Sequence, residues 1–368
     1  MCLPSSPLVR RRAPRLSRGI NLSHWYSQVY HKLGYTPEHF DQYMTETDLR
    51  LIKTMGFNHV RFPIACEPML DWREPNKIDP SYLGRIKAVI GLLHEIGLAV
   101  IVDIHPESPF KARLAESDEA GDAFAAFWGE LAAQLSNFDP EQTFFEILNE
   151  PCIGDAARWN CLQGEVIRDI RHAAPEHTMI ASGDVYSQLP ELLKLDAPVD
   201  ANVIYNFHLY DPIAFTHQGA GWSPPWAMFT KGLTYPADPA FLEKYLESVA
   251  DEEAREQLRE YEEIGWNAAA YDKMLQEAVA WRDSQGVALT CNEFGVYKKY
   301  SPRTSRLQWI KDVVEMLAKN GIGWTMWDYA GDFAVVRQEA GQRTPDREIL
   351  EALGLGSRRS MEDLRFVR

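Results

Sequence analysis

Short apolar runs alternate along the chain with longer stretches in which apolar residues recur every three to four positions. That alternation is the signature of βα units on a parallel sheet. The runs fall at Arg18–Leu22, His59–Ile64, Leu98–His105, Thr143–Glu150, His177–Ser182, Val203–Tyr210, Ala288–Glu293 and Gly323–Asp328. Leu98–His105 is dense in β-branched residues, as expected of a strand covered on both faces. In the first interval a helix opens at Thr45-Glu46-Thr47-Asp48, a capping-box-like start, and closes at Gly56. In the second, Asp79-Pro80 starts a helix whose Leu83, Ile86, Ile90 and Leu93 form one buried face, and Gly97 ends it. Further helices are expected near 118–137, 155–174, 187–195, 265–285 and 303–320, with a short last one near 346–353. Eight strands, each followed by a helix, predict an α/β fold of the TIM type, a closed (β/α)₈ barrel over 18–356.

One interval breaks the rhythm. Residues 211–265 hold no strand and form a long insertion after the sixth. It opens with Gly221-Trp222-Ser223-Pro224-Pro225-Trp226 and continues as a charged helical stretch with Asp251-Glu252-Glu253 and Glu262-Glu263. The acidic part reads as a solvated helix face. The Trp222/Trp226 part reads as a cleft wall, because loops after barrel strands lie on the C-terminal face. Residues 1–17, with Arg10, Arg11, Arg12, Arg15 and Arg18 in or beside them, are expected to be a poorly ordered basic extension, and 357–368 a tail.

A hydrophobic fraction of 45% and a charged fraction of 25% are those of a globular protein with a large core. The net charge of −15 argues against nucleic acid, whose binding rests on neutralising phosphates. No run reaches the roughly 18 apolar residues of a membrane span. The N-terminal stretch has no signal-peptide core, so the chain as read lacks an export signal. Five cysteines with no metal-ligand spacing give no disulfide framework, although Cys152 and Cys161 are near enough in sequence to pair in principle. Of the eleven tryptophans, about half are expected in the core, leaving others as flat platforms suited to sugar rings.

In such a barrel, polar residues at the C-terminal ends of strands are the functional candidates. Here those ends carry Arg61, His105, Asn149-Glu150, His208 and Tyr210, Glu293 and Trp327. Each alone has a duller reading as a salt-bridge partner, a core histidine or a plug. Their gathering at one end of six strands is the signal. Two carboxylates on different strands are what glycosidic-bond cleavage needs, one to protonate the departing oxygen and one to attack the anomeric carbon or activate a water. Arg61 offers a fixed positive charge beside a carboxylate. His208 and Tyr210, two apart on a strand, face the same way.

These residues, in this order, resemble glycoside hydrolase family 5, the broad cellulase family of the retaining (β/α)₈ clan. The resemblance runs over about 18–335. It is carried by Arg18-Gly19-Ile20-Asn21-Leu22, Gly56-Phe57-Asn58-His59-Val60-Arg61-Phe62-Pro63 and Val102-Asp103-Ile104-His105. It continues through Glu146-Ile147-Leu148-Asn149-Glu150-Pro151, Asn206-Phe207-His208-Leu209-Tyr210, Asn292-Glu293-Phe294-Gly295 and Trp324-Thr325-Met326-Trp327. The resemblance implies Glu150 as acid and then base, and Glu293 as nucleophile. It implies Asn149 on the sugar 2-hydroxyl, Arg61 and Tyr210 orienting Glu293 and keeping it ionised, and His208 supporting Glu150. His105 would contact the sugar and Trp327 form its floor. Trp25 and Trp222 are added as guesses for further platforms. No metal or organic cofactor is implied. The expected partner is a β-linked poly- or oligosaccharide, most simply a β-1,4-glucan cut internally, by a monomer.

Rival readings keep the same residues. A β-mannanase, β-1,3-glucanase or exo-glucosidase would differ in loops alone. A metal-dependent hydrolase, suggested by His105-Pro106-Glu107, lacks the clustered histidines of a three-ligand zinc site. A barrel that binds sugar without turnover would be expected to have lost a carboxylate. A serine hydrolase would need the GxSxG elbow, and Cys291 is expected to face the packed barrel interior.

Overall fold

The computed structural model describes residues 6–30, 32–195, 200–339 and 341–355. Eight parallel strands, β1 (Arg18–Asn21), β2 (His59–Ile64), β3 (Ala99–Ile104), β4 (Thr143–Glu146), β5 (Thr178–Ser182), β6 (Val203–Leu209), β7 (Ala288–Phe294) and β8 (Gly323–Met326), follow one another around a closed barrel. β8 pairs with β1 to close it. The strands are almost wholly buried because helices cover their outer faces, as their unbroken apolar runs require. The helix Pro80–Ile96 has Asp79 accepting from the Tyr82 amide and ends at Gly97 in the left-handed region (φ +82°), matching the stop read from sequence. Thr45 and Asp48 form the capping box of Glu46–Thr54. No helix of the described residues is long and apolar enough to cross a membrane.

The basic extension differs from expectation. Pro7–Arg12 is a helix and Ala13–Leu16 a tight 3₁₀ turn. Val9 and Leu16 are buried against Ile101, Phe144, Ile180 and Ile204, plugging the N-terminal end of the barrel. Arg12 is 1% exposed and donates to Glu141 (2.7 Å), the Glu176 carbonyl (2.5 Å) and Thr178 Oγ1 (3.1 Å). Its guanidinium is thus spent inside the fold rather than in solvent. Gly323 makes room for the plug, since a Cβ there would lie 2.1 Å from the Leu16 carbonyl oxygen. The tail at 357–368 lies outside the described residues.

Other departures are local. The stretch expected as a helix near 187–195 is two single turns, Asp184–Ser187 and Leu189–Leu192. After β8 the chain makes an antiparallel hairpin, Val336–Glu339 with Gln342–Pro345, that was not expected. The insertion folds as short helices: Ile213–Thr216, a 3₁₀ turn at Pro225–Phe229, Pro239–Ser248 and Glu252–Ile264. In the last of these Ala254, Leu258 and Tyr261 form the buried stripe, and the acidic residues lie on the solvated side. Cys152 and Cys161 are both free and exposed, so they do not pair. Cys291 is buried, but Thr290 and Asn292 on either side of it turn into the barrel, so its thiol faces the surrounding helices rather than, as expected, the barrel interior.

Candidate active site

The register of the barrel stacks polar side chains in its upper interior. Asn21 pairs with Arg61 across β1–β2, and Asp103 with Glu146 across β3–β4. A register shift after Phe207 brings His208 level with Glu293 on β7.

Arg61, fully buried, is the hub. Nε and Nη2 donate to both oxygens of Glu146 at 2.9 Å, a bidentate fork. Nη2 also reaches Asn149 Oδ1 (2.9 Å) and lies 3.0 Å from Asp103 Oδ2. Nη1 donates to Asn21 Oδ1 (3.0 Å) and to Glu293 Oε1 (2.5 Å). Burial works against the guanidinium, but Asp103, Glu146 and Glu293 outweigh it and raise its pKa well above the usual value. Burial also pushes Asp103 up to about 7, against the pull of Arg61, and raises Glu146. Asn206 and Asn292 complete the cradle of Glu146, at 3.3 and 2.6 Å.

Glu293 and Glu150 face one another above this layer. The Tyr210 hydroxyl donates to Glu293 Oε2 (2.9 Å), so both oxygens of that carboxylate have a donor. Burial lifts the Tyr210 phenol well above its ordinary range, and Glu293 adds to this, keeping it a donor. Glu150 lies just beyond β4 with φ +47°, a left-handed backbone uncommon for a non-glycine residue and typical of functional positions. His208 Nδ1 is 3.0 Å from Glu150 Oε1 and 3.7 Å from Glu293 Oε2. Burial pushes the His208 imidazole down to about 4, so it meets Glu150 as a neutral N–H donor near neutral pH. Glu150, His208 and Glu293 each offer an atom within 4.8 Å of the others.

Asn149 is held from both ends: its oxygen accepts from Arg61, and its amide nitrogen donates to His105 Nε2 (3.1 Å). The other ring nitrogen of His105 bonds Asp103 Oδ2 (2.9 Å). Both nitrogens of His105 are therefore engaged within the protein, and the ring lies 5.7 Å from that of Trp327 at 18°. Trp327 packs with Ala220, Tyr297 and Phe333.

The two guessed platforms part company. Trp25 is 5% exposed, donates its indole N–H to the Phe40 carbonyl (2.8 Å) and packs on Tyr26 and Phe62. It belongs to the core between β1, β2 and the helix Pro37–Tyr43, because that carbonyl needs a donor. Trp222 is 59% exposed and leans on His217, Tyr297 and Phe333, continuous with the Trp327 cluster. Reading strand ends alone passed over Asp103, Glu146, Asn21 and Asn292 as site residues. Polar residues at every second position of otherwise apolar barrel strands were the available signal.

Paired carboxylates at the mouth of an eightfold barrel, braced by a buried arginine, are the equipment of a glycoside hydrolase. The chain belongs to the cellulase family, glycosyl hydrolase family 5, whose model matches residues 21–332. It is 28% identical over 328 residues to Endoglucanase C of Acetivibrio thermocellus, covering 87% of this chain and 93% of that one. It is 29% identical over 316 residues to Cellodextrinase A of Ruminococcus flavefaciens, 83% of each chain being covered. Among solved structures, endoglucanase Cel5A of Thermotoga maritima superposes with a TM-score of 0.76 at 25% identity, covering 95% of this chain and all of that one.

Proposed function

We propose that the enzyme is a retaining endo-β-1,4-glucanase in which Glu293 is the nucleophile and Glu150 the acid and then the base. The observation that carries this is the approach of the two carboxylates, with oxygens within 4.8 Å of one another. Retaining glycosidases hold their carboxyl groups about 5–5.5 Å apart, whereas inverting ones leave about 6.5–9.5 Å for an intervening water. Glu293, gripped by Arg61 and Tyr210, attacks the anomeric carbon while Glu150 gives its proton to the departing oxygen. That forms a covalent glycosyl-enzyme. Glu150 then takes a proton from water, which releases the sugar with its original configuration. Asn149, fixed by Arg61 and His105, is placed to bond the 2-hydroxyl. Glu150, His208 and Glu293 have the donor types of a cation site, but a guanidinium 2.5 Å from Glu293 opposes one. Every group in this account comes from a single chain, so a monomer suffices.

The choice of β-1,4-glucan follows the relatives, whose names are endoglucanase and cellodextrinase. A second reading, β-mannan, has one specific support: the Thermotoga maritima Cel5A structures include complexes with cellobiose and with mannotriose. Rates on carboxymethylcellulose, mixed-linkage glucan, mannan, xyloglucan and laminarin test the choice. Fastest cleavage of the first two, with a rapid fall in viscosity, is expected. Cleavage of mannan alone would replace the glucan reading, and release of only terminal sugars would replace endo action.

Trp222 is proposed as a sugar platform at the rim. Trp222→Ala is expected to raise KM for cellopentaose by about tenfold, ~1.4 kcal/mol, a stacking-scale loss. Hydrolysis of an aryl cellobioside should change by less than about twofold on the same reasoning, because few subsites are filled. Equal losses on both substrates would place Trp222 in the fold instead.

A further inference from the structure

The helix that follows β3 carries a cation without a partner. Lys111 lies in the first turn of Ser108–Glu116 and is only 8% exposed. Among the described residues its ammonium has no carboxylate within ion-pair distance and no hydrogen-bond acceptor, although other surface lysines such as Lys194 and Lys319 are paired. Its stem is buried while the ammonium is not among the buried unpartnered atoms and so keeps contact with solvent, which leaves a charged donor open to a ligand.

Direction and surroundings say where that partner binds. Helical side chains lean toward the helix N-terminus. Here that end is the barrel mouth, three residues beyond His105. The charge of Lys111 is felt at Asp103 and His105 on one side, His208 across the mouth, and Glu67 beyond β2. Glu67 is solvent-exposed; its Oε1 accepts from the Glu107 amide (2.8 Å), and its Oε2 lies 4.0 Å from the Cys66 thiol. A donor with a buried stem and an exposed acceptor therefore share the edge of the cleft, close enough for the charge of one to act on the other.

We propose that Lys111 and Glu67 form a subsite for a neutral sugar unit next to the one being cleaved, Lys111 donating to ring hydroxyls and Glu67 accepting from them. An anionic sugar is disfavoured, because Glu67 and Glu107 together outnumber the single ammonium. This rests on the glucanase reading, and it adds a determinant of chain-length preference.

Lys111→Met keeps the length of the side chain and removes the charge. It is expected to raise KM for cellopentaose about tenfold, with kcat within about twofold, as for a lost charged hydrogen bond. Its unfolding midpoint should be little changed, since the ammonium makes no ion pair among the described residues and the buried stem is kept. Lys111→Arg should recover part of the affinity. Glu67→Gln, on the surface and safe for folding, should raise KM several-fold. An unchanged KM in both Lys111→Met and Glu67→Gln, or a fall in kcat alone, would overturn the subsite. Wild-type turnover of cellopentaose separates the two claims: without it the glucanase reading fails first, whereas active wild type with indifferent variants sinks only the subsite.

Discussion

Replacing Glu293 with alanine is expected to lower kcat on a soluble β-glucan by about five orders of magnitude, ~7 kcal/mol of barrier, the scale on which covalent catalysts lose activity without their nucleophile. The fold should survive, because Arg61 keeps Asp103 and Glu146 as counter-charges. The space vacated by the side chain admits a small anion beside Arg61 and Tyr210. Azide added to the variant should therefore restore measurable turnover of an aryl β-cellobioside. It would enter where the carboxylate stood, opposite the leaving group, while Glu150 still supplies the proton. One displacement in place of two inverts the centre, so the product should be the α-glycosyl azide, read by the anomeric proton coupling in its NMR spectrum. A β-azide, or a variant that keeps full activity, would remove Glu293 from the nucleophile's role.

The barrel was legible because each strand is an apolar run closed by a glycine-stopped or well-capped helix, as at Asp79 and Gly97. Local rules and global architecture agree there. The N-terminal plug escaped notice because Val9 and Leu16 are two apolar residues among arginines. Too few apolar positions recur for any period to show, and their burial depends on the shape of a barrel floor assembled from β3–β6. Trp25 and Trp222 are equivalent by composition, both tryptophans in loops beyond strands. What separates them is tertiary: the Phe40 carbonyl claims one indole, and nothing covers the other.

The candidate site divides in the same way. Residues that end strands could be read singly, whereas the layer beneath them could not. Asp103 and Glu146 look in sequence like surface acids, and only the buried fork of Arg61 accounts for them. That layer sets the geometry above it. One guanidinium fixes Glu146 on one side, the Asn149 amide on another and Glu293 on a third. Replacing it with lysine would retain the charge and lose the fork. The proposed roles of Glu293 and Asn149 are thus mechanically joined, although they stand on β7 and beyond β4.

Replacing Glu150 with alanine should produce a different defect, because its proposed work occurs twice. Cleavage of polymer, whose sugar leaving group needs a proton, is expected to fall by about 10³–10⁴, the contribution of positioned acid–base catalysis. Formation of the glycosyl-enzyme from a dinitrophenyl cellobioside should be nearly unaffected, since that phenolate departs unprotonated. The second step then lacks its base, so product should appear as a burst followed by a slow phase. Azide needs no deprotonation and should accelerate that slow phase. It would attack the glycosyl-enzyme on the face that the leaving group and Glu150 shared, after Glu293 had already inverted the centre. The product should therefore be the β-glycosyl azide, opposite to that from the Glu293 variant. Equal losses on activated and unactivated substrates, or the same azide from both variants, would break the assignment of the two carboxylates to separate faces of the sugar.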